Sequence, residues 1–146
     1  EYIYYSTALP DEMIASFRQW EGFGHNANAD LTDDPARIKW REFYELPQYG
    51  MVKAFEGAYM YARGIRRPET NSCMNNNVSY FNAPSRKKIV ERIMELSGRS
   101  FDMNDFLAKD AINLSTSARS RLREPRAGEL FVPFAPPVLT VGAPRR

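Results

Sequence analysis

Of the side chains best suited to nucleophilic or metal chemistry, the 146 residues hold one histidine, His25, and one cysteine, Cys73. A protein zinc site needs at least three converging ligands. His25 stands in GFGHNANADLTDD with no second His or Cys at ligand spacing, and reads as a loop histidine facing solvent. Cys73 has no histidine near it in sequence, and only folding would bring His25 to it. A buried thiol is therefore a simpler assignment than a Cys/His nucleophile. A thiol-dependent redox role would need a depressed pKa, for which the nearest cations are Arg66 and Arg67. Asp30, Asp33 and Asp34 lack the central Gly and terminal Glu of a calcium loop, so turn formation and capping explain them. Neither a P-loop nor a dinucleotide-binding glycine fingerprint occurs.

One stretch resists this elimination. RRPETNSCMNNNVSYFN, residues 66 to 82, sets Cys73 beside Met74, a run of asparagines and two aromatics. No period of 3.6 or 2 organises its apolar residues, so it reads as a loop.

The flanking segments must hold that loop. Residues 1 to 9 suit a strand or extended arm ended by Pro10, and DEMIASFRQW suits a helical turn or two. Asp34 with Pro35 looks like an N-cap followed by N1, opening a short helix through Ile38, Trp40 and Phe43 that Pro47 closes. MVKAFEGAYMYARGI, broken by Gly57 and Gly64, fits two short strands around a turn, with Phe55, Tyr59, Met60 and Tyr61 on core and strand faces. Asn82 can cap a helix over 84 to 97, with Pro84 in its first turn and Gly98 as its stop. Its Ile89, Val90, Ile93 and Met94 form one stripe expected to pack on the core. Asp102 and Asp105 resemble a capping box, and Phe101 and Phe106 have hydrophobic-staple spacing, so a further helix starts at Met103. ELFVPFAPPVLTV, interrupted by Pro133, Pro136 and Pro137, suits an edge strand or polyproline-like arm.

Composition sets outer bounds. The length is that of about one domain with a real core. A net charge of +2, with both signs interspersed, is no nucleic-acid footprint. A single cysteine cannot form an internal disulfide, and no apolar run reaches the roughly 18 residues of a membrane span. The opening EYIYYSTALP, already strand-like and aromatic, suggests a piece of something longer.

GIRRPETNSCMNNNVSYFNAPSRKKIVERIMELSG, with DLTDDPARIKW and FDMNDFLAKD on either side, resembles the bacterial IgA peptidase family of zinc metallopeptidases over roughly residues 1 to 120. The resemblance implies an α/β fold of α+β type, the C-terminal lobe of a metallopeptidase catalytic domain, spanning 1–122 with a Pro-rich arm at 123–146. In that family a His-Glu-x-x-His helix binds zinc and an Asp-Glu-Tyr segment follows; Glu1 and Tyr2 resemble the end of that segment. The chain would then start after the metal-binding motif, hold no zinc ligand and be inactive alone, zinc belonging to the complete enzyme. Ser72, Cys73 and Met74 resemble the methionine turn that floors the metal site. Arg67, Asn71, Asn76 and Tyr80 are candidates for the substrate-cleft wall, against the alternative of plain loop stabilisation. The partners implied are a protein or peptide substrate and the upstream half of the catalytic domain, and the location is extracellular or at the cell envelope. From another class, a non-catalytic protein- or glycan-binding module competes with this expectation.

Overall fold

The computed structural model describes residues 3–76 and 80–114, the side chains of residues 3–6, 74 and 76 excepted. It is an α+β arrangement: a three-stranded sheet with helices and a long turn-rich segment packed around it. Strands β1 (Ile3–Ala8), β2 (Phe55–Ala58) and β3 (Met60–Arg67) lie in the order β1-β3-β2, so the last is central. β1 runs parallel to β3 and β2 antiparallel to it. Helix α1 (Asp11–Gly22) begins the crossover that the parallel pair requires. Pro10 precedes it and Asp11 and Glu12 face its N-terminal dipole, so it is a full helix rather than a turn or two.

β2 and β3 turn about Tyr59 and Met60, since Ala58 pairs with Tyr61 across them. Both take positive φ, 49° and 76°, the type I′ pattern that normally selects Asn and Gly. The ring of Tyr59 meets Phe17 edge-on at 5.2 Å, a contact that ties the turn to α1. The glycines do not make the turn: Gly57 and Gly64 lie inside the strands at φ 93° and 83° and bend them. Tyr59 and Tyr61 pack on the core as expected, but Met60 is at the surface.

Two apolar clusters follow. Leu9, Phe17, Ala29, Ala58 and Ile65 join α1 to the sheet. Ile38, Trp40, Phe43, Tyr49, Val52, Ala83 and Phe106 form the other, between the segment 34–54 and the helices α3 (Ala83–Leu96) and α4 (Met103–Asp110).

The helix expected from Asp34 through Phe43 is corrected to turns with a three-residue 3-10 stretch, Arg41–Phe43. Asp34 does accept from the Ala36 amide, and the Ile38 amide reaches the Asp34 carbonyl, so one turn forms. It stops there because the Lys39 amide donates to Asp30 Oδ2 at 2.9 Å; the carboxylate outcompetes the helical carbonyl.

α3 and α4 begin where the sequence places them. Asn82 accepts from the Ser85 amide and Asp102 from the Asp105 amide, and the Phe101 and Phe106 rings stand 6.1 Å apart. The face of α3 is a correction. Of the expected stripe, Val90 packs against the core and Met94 is partly buried, but Ile89 and Ile93 are 44% and 58% exposed, because the start of the helix, Ala83 and Pro84, is what is fully buried. Ile93→Ala should accordingly change the unfolding free energy by less than about 1 kcal/mol. Fully buried Ile65 is the contrast, and Ile65→Ala should cost about 2–4 kcal/mol. Urea denaturation of the two variants distinguishes the faces; equal midpoints would refute this packing.

Among the described residues no helix is long and apolar enough to cross a membrane. The Pro-rich arm at 123–146 lies outside the described residues.

Candidate functional site

The asparagine-rich loop leaves β3 through two arginines that anchor it at once. Arg66 exchanges backbone hydrogen bonds with Asp30, and its guanidinium meets Asp33 at 2.8 Å and Glu56 at 3.1 Å. Arg67 donates from Nη1 to the carbonyls of Glu56 and Gly57, holding the bent part of β2. Asp30 is itself buried, and its second carboxylate oxygen takes the Thr32 amide. The three aspartates are therefore turn and anchor groups. His25 stacks edge-on to Trp20, with 5.4 Å between centroids.

Beyond Arg67 the chain dives inward. Pro68, Glu69 and Ser72 are buried, and the Lys53 amide donates to the Pro68 carbonyl. A single helical turn, α2 (Cys73–Asn76), follows. The Asn75 amide donates to the Ser72 carbonyl at 3.1 Å, closing a turn whose third residue is Met74. The Cys73 amide donates to the Tyr80 carbonyl at 2.6 Å, bringing the two ends of the loop together. Asn75 Nδ2 donates back to the Thr70 carbonyl. Cys73 and Asn71 are partly buried, while the side chains of Met74 and Asn76 lie outside the described residues.

Below the loop lies a buried ionic network. Glu69 Oε2 accepts from the Tyr80 hydroxyl at 2.8 Å, and Oε1 from the Ala83 amide at 2.7 Å. Arg86 lies over the Tyr80 ring at 4.9 Å and donates to the Phe81 carbonyl. It also binds Asp110 through Nε and Nη2 at 2.6 and 2.7 Å. The Tyr49 hydroxyl and Asn113 Nδ2 complete the shell of Asp110 at 2.8 and 2.7 Å. One carboxylate thus belongs to the loop and the other to the last residue of α4, with Arg86 between.

Burial pushes the Glu69 carboxyl above the ordinary glutamate range, against the Ala83 and Tyr80 hydrogen bonds and the Arg86 charge, which pull it down. Burial likewise raises the Tyr80 hydroxyl, helped by the Glu69 charge, and raises that of Tyr49, helped by Asp110. The sign for Glu69 is set by linkage. A carboxyl with a raised folded-state pKa stabilises fully below the unfolded value and loses that contribution as pH rises through the folded one. The stability of Glu69→Gln relative to the native chain should therefore grow as pH is raised from about 4.3, the unfolded glutamate value. Urea denaturation at a series of pH values measures it, and a pH-independent difference would contradict it.

Four members of this network, Tyr49, Glu69, Arg86 and Asp110, have no local signature. Tyr49 and Asp110 are 61 positions apart and Arg86 and Asp110 are 24, so only folding reveals the partnership. Among the described residues no three His, Cys, Asp or Glu side chains converge to hold a metal ion. The chain matches no family model, no curated protein and no solved structure.

Proposed function

We propose that this chain is part of a zinc-dependent peptidase of the IgA peptidase type, contributing the methionine turn and a wall of the substrate cleft. The observation carrying the proposal is the closed Ser72–Asn75 turn with Met74 at its third position, tied at its base to Tyr80. A floor beneath metal ligands must be rigid and polarisable, and a methionine in an anchored turn meets both demands. Asn71 and Asn76, which flank the Ser72–Asn75 turn in sequence, would contact an extended peptide. Arg67 and Tyr80 contribute to the wall through side chains whose polar ends are already bonded to Glu56, Gly57 and Glu69.

The described residues do not fit a complete zinc site, so no catalytic step is assigned to them. The ligands and the general base would come from a His-Glu-x-x-His helix N-terminal to this segment, as the resemblance implies. Zinc supplies the Lewis acid and the activated water of such an enzyme. Residues 1 to 146 alone should cleave no peptide and bind no zinc tightly; the chain extended through that helix should do both. Calorimetric zinc titration and peptide cleavage by the two proteins are the test. Tight stoichiometric zinc on the short chain, or inertness of the long one, would overturn the proposal.

One observation favours a second function, a non-catalytic protein-binding module. Trp20, Phe23, Ile89, Ile93 and Leu96 are all exposed, and Phe23, Ile89 and Ile93 line a common groove. An inert extended protein would turn the choice toward that module.

A further inference from the structure

The methionine turn is joined to the helical part of the fold by a route that converges on one side chain. The Cys73 amide is held by the carbonyl of Tyr80, and the hydroxyl of Tyr80 is held by Glu69. The other oxygen of Glu69 takes the Ala83 amide, the first residue of α3. Glu69 therefore bridges the inward limb of the loop, its outward limb and the start of a helix, from a site that is 5% exposed. Its neighbours are themselves fixed: Asn82 is buried and caps α3, and Arg86 covers the Tyr80 ring while bound to Asp110. Pro68 and Ser72 in the same limb of the loop are buried as well.

We propose that Glu69 is the positioning residue of the Ser72–Asn75 turn, acting through Tyr80 and the Ala83 amide to set the height and tilt of the turn relative to α3. This rests on the peptidase reading insofar as the turn is the floor of a metal site; the clamp itself is a property of the loop. A carboxylate suits the task because its two oxygens accept in two directions at once, from a hydroxyl and from a backbone N–H. Glutamine preserves half of that geometry: its carbonyl accepts from Ala83 and its amide donates to the Tyr80 oxygen. Alanine preserves none of it.

The test is amide hydrogen exchange of the full 146-residue chain followed by NMR, read at the Cys73 N–H that is bonded to Tyr80. The Leu9 and Arg66 amides, bonded to the Arg63 and Asp30 carbonyls, report on the rest of the fold. Glu69→Ala should speed exchange at Cys73 about tenfold or more while Leu9 and Arg66 stay within about twofold, because a local opening costs less than global unfolding. Glu69→Gln should return Cys73 to within about threefold of the native rate, since one oriented acceptor and one donor remain. Tyr80→Phe, which removes the hydroxyl alone, should raise Cys73 exchange by about threefold and carries the test if the alanine variant does not fold. An unchanged Cys73 rate in a folded Glu69→Ala or Tyr80→Phe chain overturns the proposal. So does an equal rise at Cys73, Leu9 and Arg66, or a glutamine variant as fast as alanine. None of these readouts involves zinc or cleavage, so an inert extended protein would remove the peptidase reading and leave the clamp standing.

Discussion

Asp110→Ala should cost about 3–5 kcal/mol of folding free energy, the loss expected when one partner of a buried ion pair is removed. The carboxylate is 5% exposed and takes two hydrogen bonds from Arg86, one from Tyr49 and one from Asn113. Removing it leaves a guanidinium, itself mostly buried, without its counter-charge, and a phenolic hydroxyl without its acceptor. The size of the effect comes from that orphaned charge rather than from the strength of the pair. The double variant Arg86→Met/Asp110→Leu should therefore regain much of what Asp110→Ala loses, since an apolar pair of similar volume avoids the desolvation penalty. A double-mutant cycle by urea denaturation measures the coupling. Additive losses would mean that the two side chains do not depend on each other, and would refute the network as described. Because Arg86 also covers Tyr80, local opening at the loop should accompany the loss.

Trp40→Ala should cost about 3–5 kcal/mol by cavity formation. The indole is 1% exposed at the centre of the cluster formed by Ile38, Phe43, Tyr49, Val52, Ala83 and Phe106. Its Nε1 donates to the Lys53 carbonyl at 2.9 Å, joining the turn-rich segment to the approach to β2. Trp40→Phe keeps most of the volume but leaves that carbonyl without its indole donor, and should cost about 1–3 kcal/mol. Circular dichroism during thermal unfolding separates the two losses. The other tryptophan, Trp20, is 48% exposed, so its replacement by Phe should leave the transition nearly unmoved. A Trp40→Ala chain with native stability would show that this cluster is not the core.

Elements with their own punctuation were legible from residue type alone. Asn82 and Pro84 start α3 and Gly98, at φ 69°, follows its end, while Asp102 and the Phe101/Phe106 pair mark α4. Each of these signals is satisfied within a few residues, so no distant contact is needed to decide it. The stretch from 66 to 82, read as a loop for want of a period, is corrected in two places: Arg66 and Arg67 end β3, and Cys73–Asn76 form a helical turn. What its side chains bond was not legible. The partners of Arg67 and Tyr80, the Glu56 and Gly57 carbonyls and the Glu69 carboxylate, depend on a hairpin and a buried network that no local pattern announces.

The amino-acid sequence by itself determined the caps and stops of α3 and α4, because those rest on interactions between near neighbours. Tertiary structure alone decided which way α3 faces, where the helix after Asp34 stops, and which carboxylates are buried. A stripe such as Ile89, Val90 and Ile93 states only that one side of a helix is apolar; of these Val90 meets the core, and the fully buried end of α3 is Ala83 and Pro84. The Asp34 turn ends because Asp30 captures the Lys39 amide from nine residues away. Glu69 and Asp110 become buried anchors because Arg86 reaches Asp110 across 24 residues and touches the Tyr80 ring that Glu69 holds. These choices are made by competition among partners that only the folded chain brings within hydrogen-bonding distance, and no local propensity encodes the winner.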